Sequence, residues 1–335
     1  MSNAGSPLDE ARERIGNAYE VRVLEPAPPA VGHEPFADDP MARGDVPPGR
    51  ALVAPFATGV AGDLTWDELA SGDPALAAWC ADRALGAWRE PPPVADPAAL
   101  VHTRLALHSV AEHVLCPARH RVNGKIGLRF TRGGFGTPFF GADEQVRVEG
   151  STLVHAAHAP ADATLTELRT ELTTVRAAAD AVGIEAGAPG LFEPITPLDL
   201  DRPLDLEPGA VAVFGWWFGL AAAVLAQLRA DEPAAPDPPP SLVQLWPEHF
   251  DLACDLGATA TGRRVNFGAS PGDARNPEPY LYVGPWDLAG LPGATDPYWN
   301  EPFGASLPYS ALRGPAGAYE TALAFFRSGR DRLTG

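Results

Sequence analysis

A histidine and three acidic residues lie within residues 243–255, where polar and apolar residues alternate. This alternation predicts a β-strand, because successive side chains of a strand point to opposite faces. In such a strand His249 and Asp251 share one open face, about 7 Å apart. An imidazole and a carboxylate at that separation can share a proton, bind a substrate hydroxyl or hold a metal. We therefore predict His249 and Asp251 as catalytic residues, with a solvated polar strand face as the structural alternative.

Glu248 falls on the opposite face of this predicted strand, beside Trp246 and Phe250. That face carries most of the apolar residues, so we expect it to be buried, and burial would raise the pKa of the Glu248 carboxyl. A carboxyl group with a raised pKa can act as a general acid or base, which makes Glu248 the third predicted catalytic residue. Pro247 disrupts strand pairing, and a shift of one residue after it would turn each following side chain to the opposite face.

The residues that follow supply a predicted substrate-binding wall. Residues 266–279 contain the sequence GASPGD, which lacks the lysine of a phosphate-binding loop and favours a shaped surface loop. A short predicted strand at 280–283 places two tyrosines on one face, where they can line a pocket. The predicted substrate-binding residues are Trp246, Asn266, Ser270, Asp273, Tyr280, Tyr282 and Trp286.

The charge and cysteine content limit the partners and the compartment. The formal net charge is −18, which disfavours a nucleic-acid groove and an anionic membrane surface. Cys80, Cys116 and Cys254 are too few and too scattered for a disulfide framework, which favours a reducing compartment. Residues 1–16 lack the apolar core of a signal peptide. We expect a cytoplasmic protein that binds neither nucleic acid nor membrane.

One uncharged segment, residues 208–228, needs a separate interpretation. It contains Gly215 and Gly219 in the G-x-x-x-G spacing that is found in membrane helices. Its many alanines and glycines make it weakly hydrophobic, and basic residues do not gather at one end. We therefore predict a buried core helix in which the glycines allow close packing.

The chain is predicted to have an α+β fold, with antiparallel β meanders covered by helices. Residues 1–96 form a Pro- and Gly-rich segment with one or two helices, near 9–19 and after Asp73, packing on the core. The patterns in residues 97–200 and in residues 201–335 each predict a helix, then a β meander and then a second helix. This shared order suggests an internal duplication, although no sequence identity between the halves is evident.

The helices of these two units are predicted from caps and apolar spacing. Pro117 is expected to end the first helix. The most regular apolar spacing predicts a helix over residues 164–182. The four predicted helices cover residues 97–116, 164–182, 208–230 and 316–333, and the two meanders cover residues 125–156 and 241–284.

Several stretches resemble a family of uncharacterised actinobacterial proteins of the domain-of-unknown-function type. The resemblance implies a soluble cytoplasmic protein in which the WPEHFDLA strand and the GASPGD loop belong to one unit. It implies no activity and no catalytic residue. The segments that carry it include GGFGTPFFG at 133–141, QVRVEG at 145–150, LWPEHFDLA at 245–253, NFGASPGD at 266–273 and EPYLYVGPW at 278–286.

Three classes of function follow from these features. The first is a small-molecule-binding protein or cofactor-independent enzyme, a hydrolase or isomerase, in which Asp251 orients His249 as the general base. The second is a non-catalytic binding module or partner subunit, and the third is a metal-dependent enzyme. The sequence contains no nucleophile elbow, Walker loop, Rossmann fingerprint, H-E-x-x-H or C-x-x-C. We therefore expect no cofactor and place no metal ligand, and the sequence leaves open whether the protein is an enzyme.

Overall fold

A computed structural model provides the three-dimensional structure. It describes residues 90–131, 133–138, 140, 144–158, 165–232, 240–257, 263–287 and 295–334. The helices predicted near 9–19 and after Asp73 lie outside the described residues.

The first helical segment is longer than predicted. Helix α1 (Pro97–Val110) starts where the Asp96 carboxylate accepts a hydrogen bond from the Ala98 N–H at 2.8 Å. A π-helical turn (Ala111–Leu115) then leads directly into helix α2 (Cys116–Asn123). The helix ends at a glycine in the left-handed conformation, as is usual for helix ends.

The prediction that Pro117 ends this helix is therefore wrong. Proline has no N–H and would leave the carbonyl four residues earlier, on His113, without a helical partner. The His113 carbonyl instead accepts a hydrogen bond from the Gly187 N–H at 3.0 Å. The π-helical turn and this long-range bond allow the chain to continue through Pro117 as a helix.

The first sheet contains five antiparallel strands in chain order. Val146 and Val148 belong to the hydrophobic core, while Arg147 lies on the other face of this sheet. The strands are β1 (Arg129–Thr131), β2 (Gly134–Gly136), β3 (Glu144–Glu149), β4 (Thr152–His158) and β5 (Leu165–Glu171).

The helix predicted over residues 164–182 is wrong in its first half. Strand β5 occupies residues 165–171 and pairs with β4 along seven residues. Helix α3 (Val175–Val182) begins only after Thr174, whose side chain accepts a hydrogen bond from the Ala177 N–H. Threonines favour strands and helix caps, so local residue type and pairing with β4 outweigh the apolar spacing.

The second unit repeats the order of the first. Helix α4 (Pro208–Ala230) has the predicted bounds and is followed by five antiparallel strands in chain order and helix α5 (Ala318–Thr334). Two of these strands lie in segments that were expected to form loops. Strand β8 includes Asn266 and Ser270, and β10 falls within residues 287–315. The strands are β6 (Gln244–Trp246), β7 (Asp251–Leu256), β8 (Val265–Ser270), β9 (Tyr280–Pro285) and β10 (Ala305–Pro308).

The two sheets meet edge to edge, between Leu128 and Leu245. Each of these residues donates its N–H to the carbonyl of the other, at 2.7 and 2.9 Å. The two five-stranded sheets are thus joined at their edges by one β-bridge, and we refer to this joined pair of sheets as the composite sheet. Helices pack on both sheets, which confirms the predicted α+β fold with antiparallel meanders.

Helix α4 forms the centre of the core and contacts β1, β2, β7 and β8. It is long and apolar enough to cross a membrane by length and composition, but 78% of that apolar window is buried inside the structure. Gly215 lies close to the backbone of Gly133, so the small side chain allows α4 to approach the first sheet. The segment packs as a core helix, as predicted.

Candidate functional site

The strand predicted over residues 243–255 is a hairpin. Strands β6 and β7 are joined by a four-residue turn, Pro247 to Phe250, and Trp246 lies opposite Asp251. Phe250 closes the turn with φ +56°, a left-handed conformation that is costly for a bulky residue. Its ring is buried and stacks on the ring of His108 at 5.1 Å between centroids, which holds the turn in place.

This turn overturns the predicted His249–Asp251 face. His249 is exposed on the turn, and its side chain makes no hydrogen bond within the described part of the chain. Asp251 begins β7 and is only 7% exposed, so it does not lie on an open face. Four residues that turn back the chain cannot keep the two-residue period of a strand, and Pro247 interrupts the pairing.

The tyrosines of β9 do lie beside Asp251. The Tyr282 hydroxyl donates a short hydrogen bond to Asp251 Oδ2. The Tyr282 ring reaches Asp251 by crossing Gly268, which faces it on β8. A Cβ atom at Gly268 would overlap the end of the Tyr282 ring, so this position requires glycine.

A second carboxylate–tyrosine pair lies next to the first. The Tyr280 hydroxyl donates to Asp273 Oδ2 at 2.7 Å, and the Tyr280 and Tyr282 rings are 6.3 Å apart. Asp273 Oδ1 accepts the backbone N–H groups of Arg275 and Asn276, each at 2.7 Å. Burial raises the pKa of Asp273, but these hydrogen bonds outweigh it, and the pKa lies below its ordinary value.

Ser270 joins the two pairs. It is buried at the end of β8, pairs with Tyr280 across the sheet and accepts the Gly272 N–H at 3.1 Å. We refer to these side chains as the acid–tyrosine cluster, which consists of Asp251, Ser270, Asp273, Tyr280 and Tyr282.

The carboxyls of Asp251 and Glu248 differ from that of Asp273. Burial raises the pKa of both carboxyls, against hydrogen bonds and the nearby His249 that lower it. Within the described residues, Asp251 Oδ1 and Glu248 Oε2 are buried and accept no hydrogen bond. The raised pKa of Glu248 confirms the predicted direction, although the residue lies on a turn and not in a strand. Two buried oxygen atoms at this end of the sheet thus remain available to a donor.

Helix α1 supports the cluster through two residues that were not predicted. Arg104 donates to the carbonyls of Pro277 and Asp273, at 3.1 and 3.3 Å, and so fixes the loop that carries Asp273. The Nε2 atom of His108 lies 2.7 Å from the Pro247 carbonyl at the start of the turn. Arg104 and His108 are four residues apart on a buried helix face, a polar pair at helical spacing that a closer search of the sequence would have shown.

Two of the predicted binding residues, Asn266 and Trp286, lie away from the cluster. Asn266 is four residues from Ser270 along β8, or about 13 Å. Its side-chain oxygen accepts the Trp286 indole N–H at 2.7 Å, and Trp286 is exposed beneath Arg264. Trp246 is half-buried opposite Asp251 on β6. The structure therefore separates Asn266 and Trp286 from the cluster and keeps Trp246 beside it.

A separate cleft of about 230 Å³ runs alongside α1. Two of its polar groups are already used: the Nε2 atom of His102 lies 3.0 Å from the Leu204 carbonyl, and Ser109 donates to the Ala106 carbonyl. Thr196, Asp199 and Arg202 also line it, and the rest of the lining is aliphatic or proline, including Leu105, Val175, Ile195, Pro197 and Pro203. The lining of the cleft is therefore mostly apolar.

The cluster can bind hydrogen-bond donors and can exchange protons, since it combines carboxyls of raised and lowered pKa with two phenols. Among the described residues, no group of three or more His, Cys, Asp or Glu is placed to hold a metal ion. Comparisons of the chain with protein-family models, curated proteins and solved structures found no match. The resemblance to an uncharacterised actinobacterial family therefore stays a prediction.

Proposed function

We propose that the protein binds a small molecule that carries a cationic amine, at the acid–tyrosine cluster. The observation that carries this proposal is the asymmetry of Asp251. One of its oxygen atoms accepts the Tyr282 hydroxyl, whereas the other is buried without a partner in the described residues. A bound N–H donor would satisfy that oxygen and neutralise the buried charge.

Charge and ring chemistry support an amine over an anionic ligand. Within the described residues, neither Asp251 nor Glu248 forms a salt bridge with a lysine or arginine side chain. The Tyr280 and Tyr282 rings lie beside Asp251, and aromatic faces attract cations. The net charge of −18 also attracts a cation and repels an anion. Glu248, Tyr280 and Tyr282 are half-buried and His249 is exposed, so the site borders solvent.

Calorimetric titration with a panel of primary, secondary and quaternary amines tests this proposal. We expect at least one amine to bind, and Asp251→Asn to weaken that binding by about tenfold or more, because a charge-assisted hydrogen bond is lost. Tyr282→Phe should weaken it as well, because the Asp251 side chain loses the bond that orients it.

Asp201→Asn is the matched control, because Asp201 is an exposed carboxylate that pairs with Arg176 away from the cluster. It should leave the affinity unchanged. If no amine binds, or if Asp251→Asn binds the amine as tightly as the wild-type protein, the proposal is wrong.

A cofactor-independent enzyme is the second candidate, and the raised pKa of both Asp251 and Glu248 favours it. A carboxyl with a raised pKa holds its proton to a higher pH and can act as a general acid, and the neighbouring phenol can relay a proton. This enzyme mechanism differs from the one predicted from the sequence, because the exposed His249 does not serve as the general base. Turnover of a bound amine that is abolished by Glu248→Gln, in a variant that still binds the amine, would favour the enzyme.

A further inference from the structure

The two outer edges of the composite sheet differ. At one end, β10 is four residues long and ends in Pro308. The side-chain amide of Asn300 closes this edge: it donates to the Ser306 carbonyl at 3.1 Å and accepts the Ser306 N–H at 2.8 Å. A short, capped edge with proline is one that cannot pair with another strand.

The opposite edge is β5, which has none of these features. It is seven residues long, contains no proline or glycine, and pairs with β4 along its whole length. Among the described residues, no hydrogen bond closes its outer backbone edge. Leu168, at its middle, is 56% exposed.

We propose that two copies of the chain associate through antiparallel pairing of β5 with β5, centred on Leu168. A two-fold axis at Leu168 places this residue opposite its own copy and buries both exposed side chains. The same axis places Glu167 opposite Arg169 of the second copy, and Arg169 opposite Glu167 of the second copy. The sequence Glu167-Leu168-Arg169 is therefore complementary to itself when it is reversed.

The charges around this edge fit a second copy. Glu167 contacts Arg147 at 2.5 Å and Arg169 at 3.4 Å, and Arg169 contacts Glu149 at 2.9 Å. These side chains already form a network in which acidic and basic groups alternate. The Arg169 of the second copy lies beside Glu167 and extends this alternation across the axis. If the charged residues of β5 all carried the same sign, like charges would face each other across the pair.

Light scattering and sedimentation velocity over a range of protein concentrations test the association. We expect a reversible dimer for the wild-type protein, and a monomer at all concentrations for Leu168→Glu, because two carboxylates would face each other at the axis. Leu191→Glu is the matched control: Leu191 is 59% exposed but lies outside β5, so it should dimerise like the wild type. Circular dichroism should show that both variants stay folded.

A cysteine pair tests the register. Leu168→Cys should form an intermolecular disulfide under mild oxidation, because residues opposite each other in an antiparallel pair lie within reach of a disulfide. Thr170→Cys should not, because the two copies of residue 170 are displaced along the strand by about four residues, or roughly 13 Å.

Three results would overturn the proposal. The first is that the wild-type protein is a monomer at every concentration, which would mean that any partner of the β5 edge is a different protein. The second is a dimer that survives Leu168→Glu. The third is equal cross-linking of the Leu168→Cys and Thr170→Cys variants, which would show a contact without the proposed register.

Discussion

At the residue scale, the acid–tyrosine cluster contains carboxyls in opposite electrostatic states. Asp273 is held by two backbone N–H groups and a phenol, and its pKa lies below its ordinary value. Asp251 has a single phenol partner in the described residues, and burial raises its pKa. Glu248 resembles Asp251 in this respect. The number of donors that each carboxyl receives therefore decides the direction of its pKa shift.

This difference predicts opposite effects of pH on stability. A carboxyl with a raised pKa in the folded state contributes stability that is fully present below its ordinary pKa, 3.8 for Asp251 and 4.5 for Glu248. That contribution is lost as the pH rises through the folded-state pKa. Asp251→Asn and Glu248→Gln should therefore gain stability relative to the wild type as the pH rises above these ordinary values.

Urea unfolding at a series of pH values measures this effect, and Asp273→Asn serves as the control of opposite sign. The pKa of Asp273 is lowered, so its contribution is present above 3.8 and lost as the pH falls through the folded-state pKa. Asp273→Asn should be least stable, relative to the wild type, near neutral pH. A parallel pH dependence of all three variants would contradict this account.

At the element scale, the continuous α1–α2 segment depends on a buried glutamate in its π-helical turn. Glu112 is fully buried, and its carboxylate accepts the N–H groups of Ile195 and Thr196, at 2.7 and 2.9 Å. It also accepts a short hydrogen bond from the Thr196 hydroxyl, and it lies 3.4 Å from His108. The turn thus fixes residues 195–196 to the helix that supports the cluster.

We predict that Glu112→Ala destabilises the protein by about 3 kcal/mol, because it leaves buried N–H groups without an acceptor. Urea unfolding measures the change. Asp201→Ala, which removes an exposed carboxylate that pairs with Arg176, should change stability far less. Equal effects of the two substitutions would show that residues 195–196 do not depend on Glu112.

At the scale of the whole molecule, α4 couples the two halves of the composite sheet. Trp217 is fully buried on this helix and contacts the ring of Tyr309 at 5.9 Å between centroids. Phe218 of the same helix contacts Phe135 of the first sheet and Phe250 of the second unit. Because one helix packs on both sheets, we expect them to unfold together.

This coupling predicts the effect of Trp217→Ala, which should lower the free energy of unfolding by about 3–5 kcal/mol. Hydrogen exchange should then accelerate equally in β3 and β8, which belong to different sheets. Trp286→Ala removes an exposed indole and should change exchange in neither strand. Faster exchange confined to β8 would show that the two halves unfold separately.

The sequence by itself determined the elements whose signals are local. Helix α4 begins after Glu207, whose carboxylate accepts the first free N–H groups, and it is apolar from Pro208 to Ala226. The alternation of β3 separates the valines from the charged residues on its two faces. The two tyrosines of β9 point to one face because a strand has a two-residue period. In each case the information lies within a few residues.

Only the tertiary structure decided the features that depend on distant partners. Residues 165–171 become a strand because β4 pairs with them, although their apolar spacing is helical. Asp251 is buried because the chain reverses at Pro247 and because Tyr282 reaches it across Gly268 from a strand two positions away in the sheet. Arg104 and His108 reach the site from a helix more than 100 residues earlier. Local spacing cannot encode these contacts, because their free energy comes from burial and hydrogen bonds that exist only after the chain has folded.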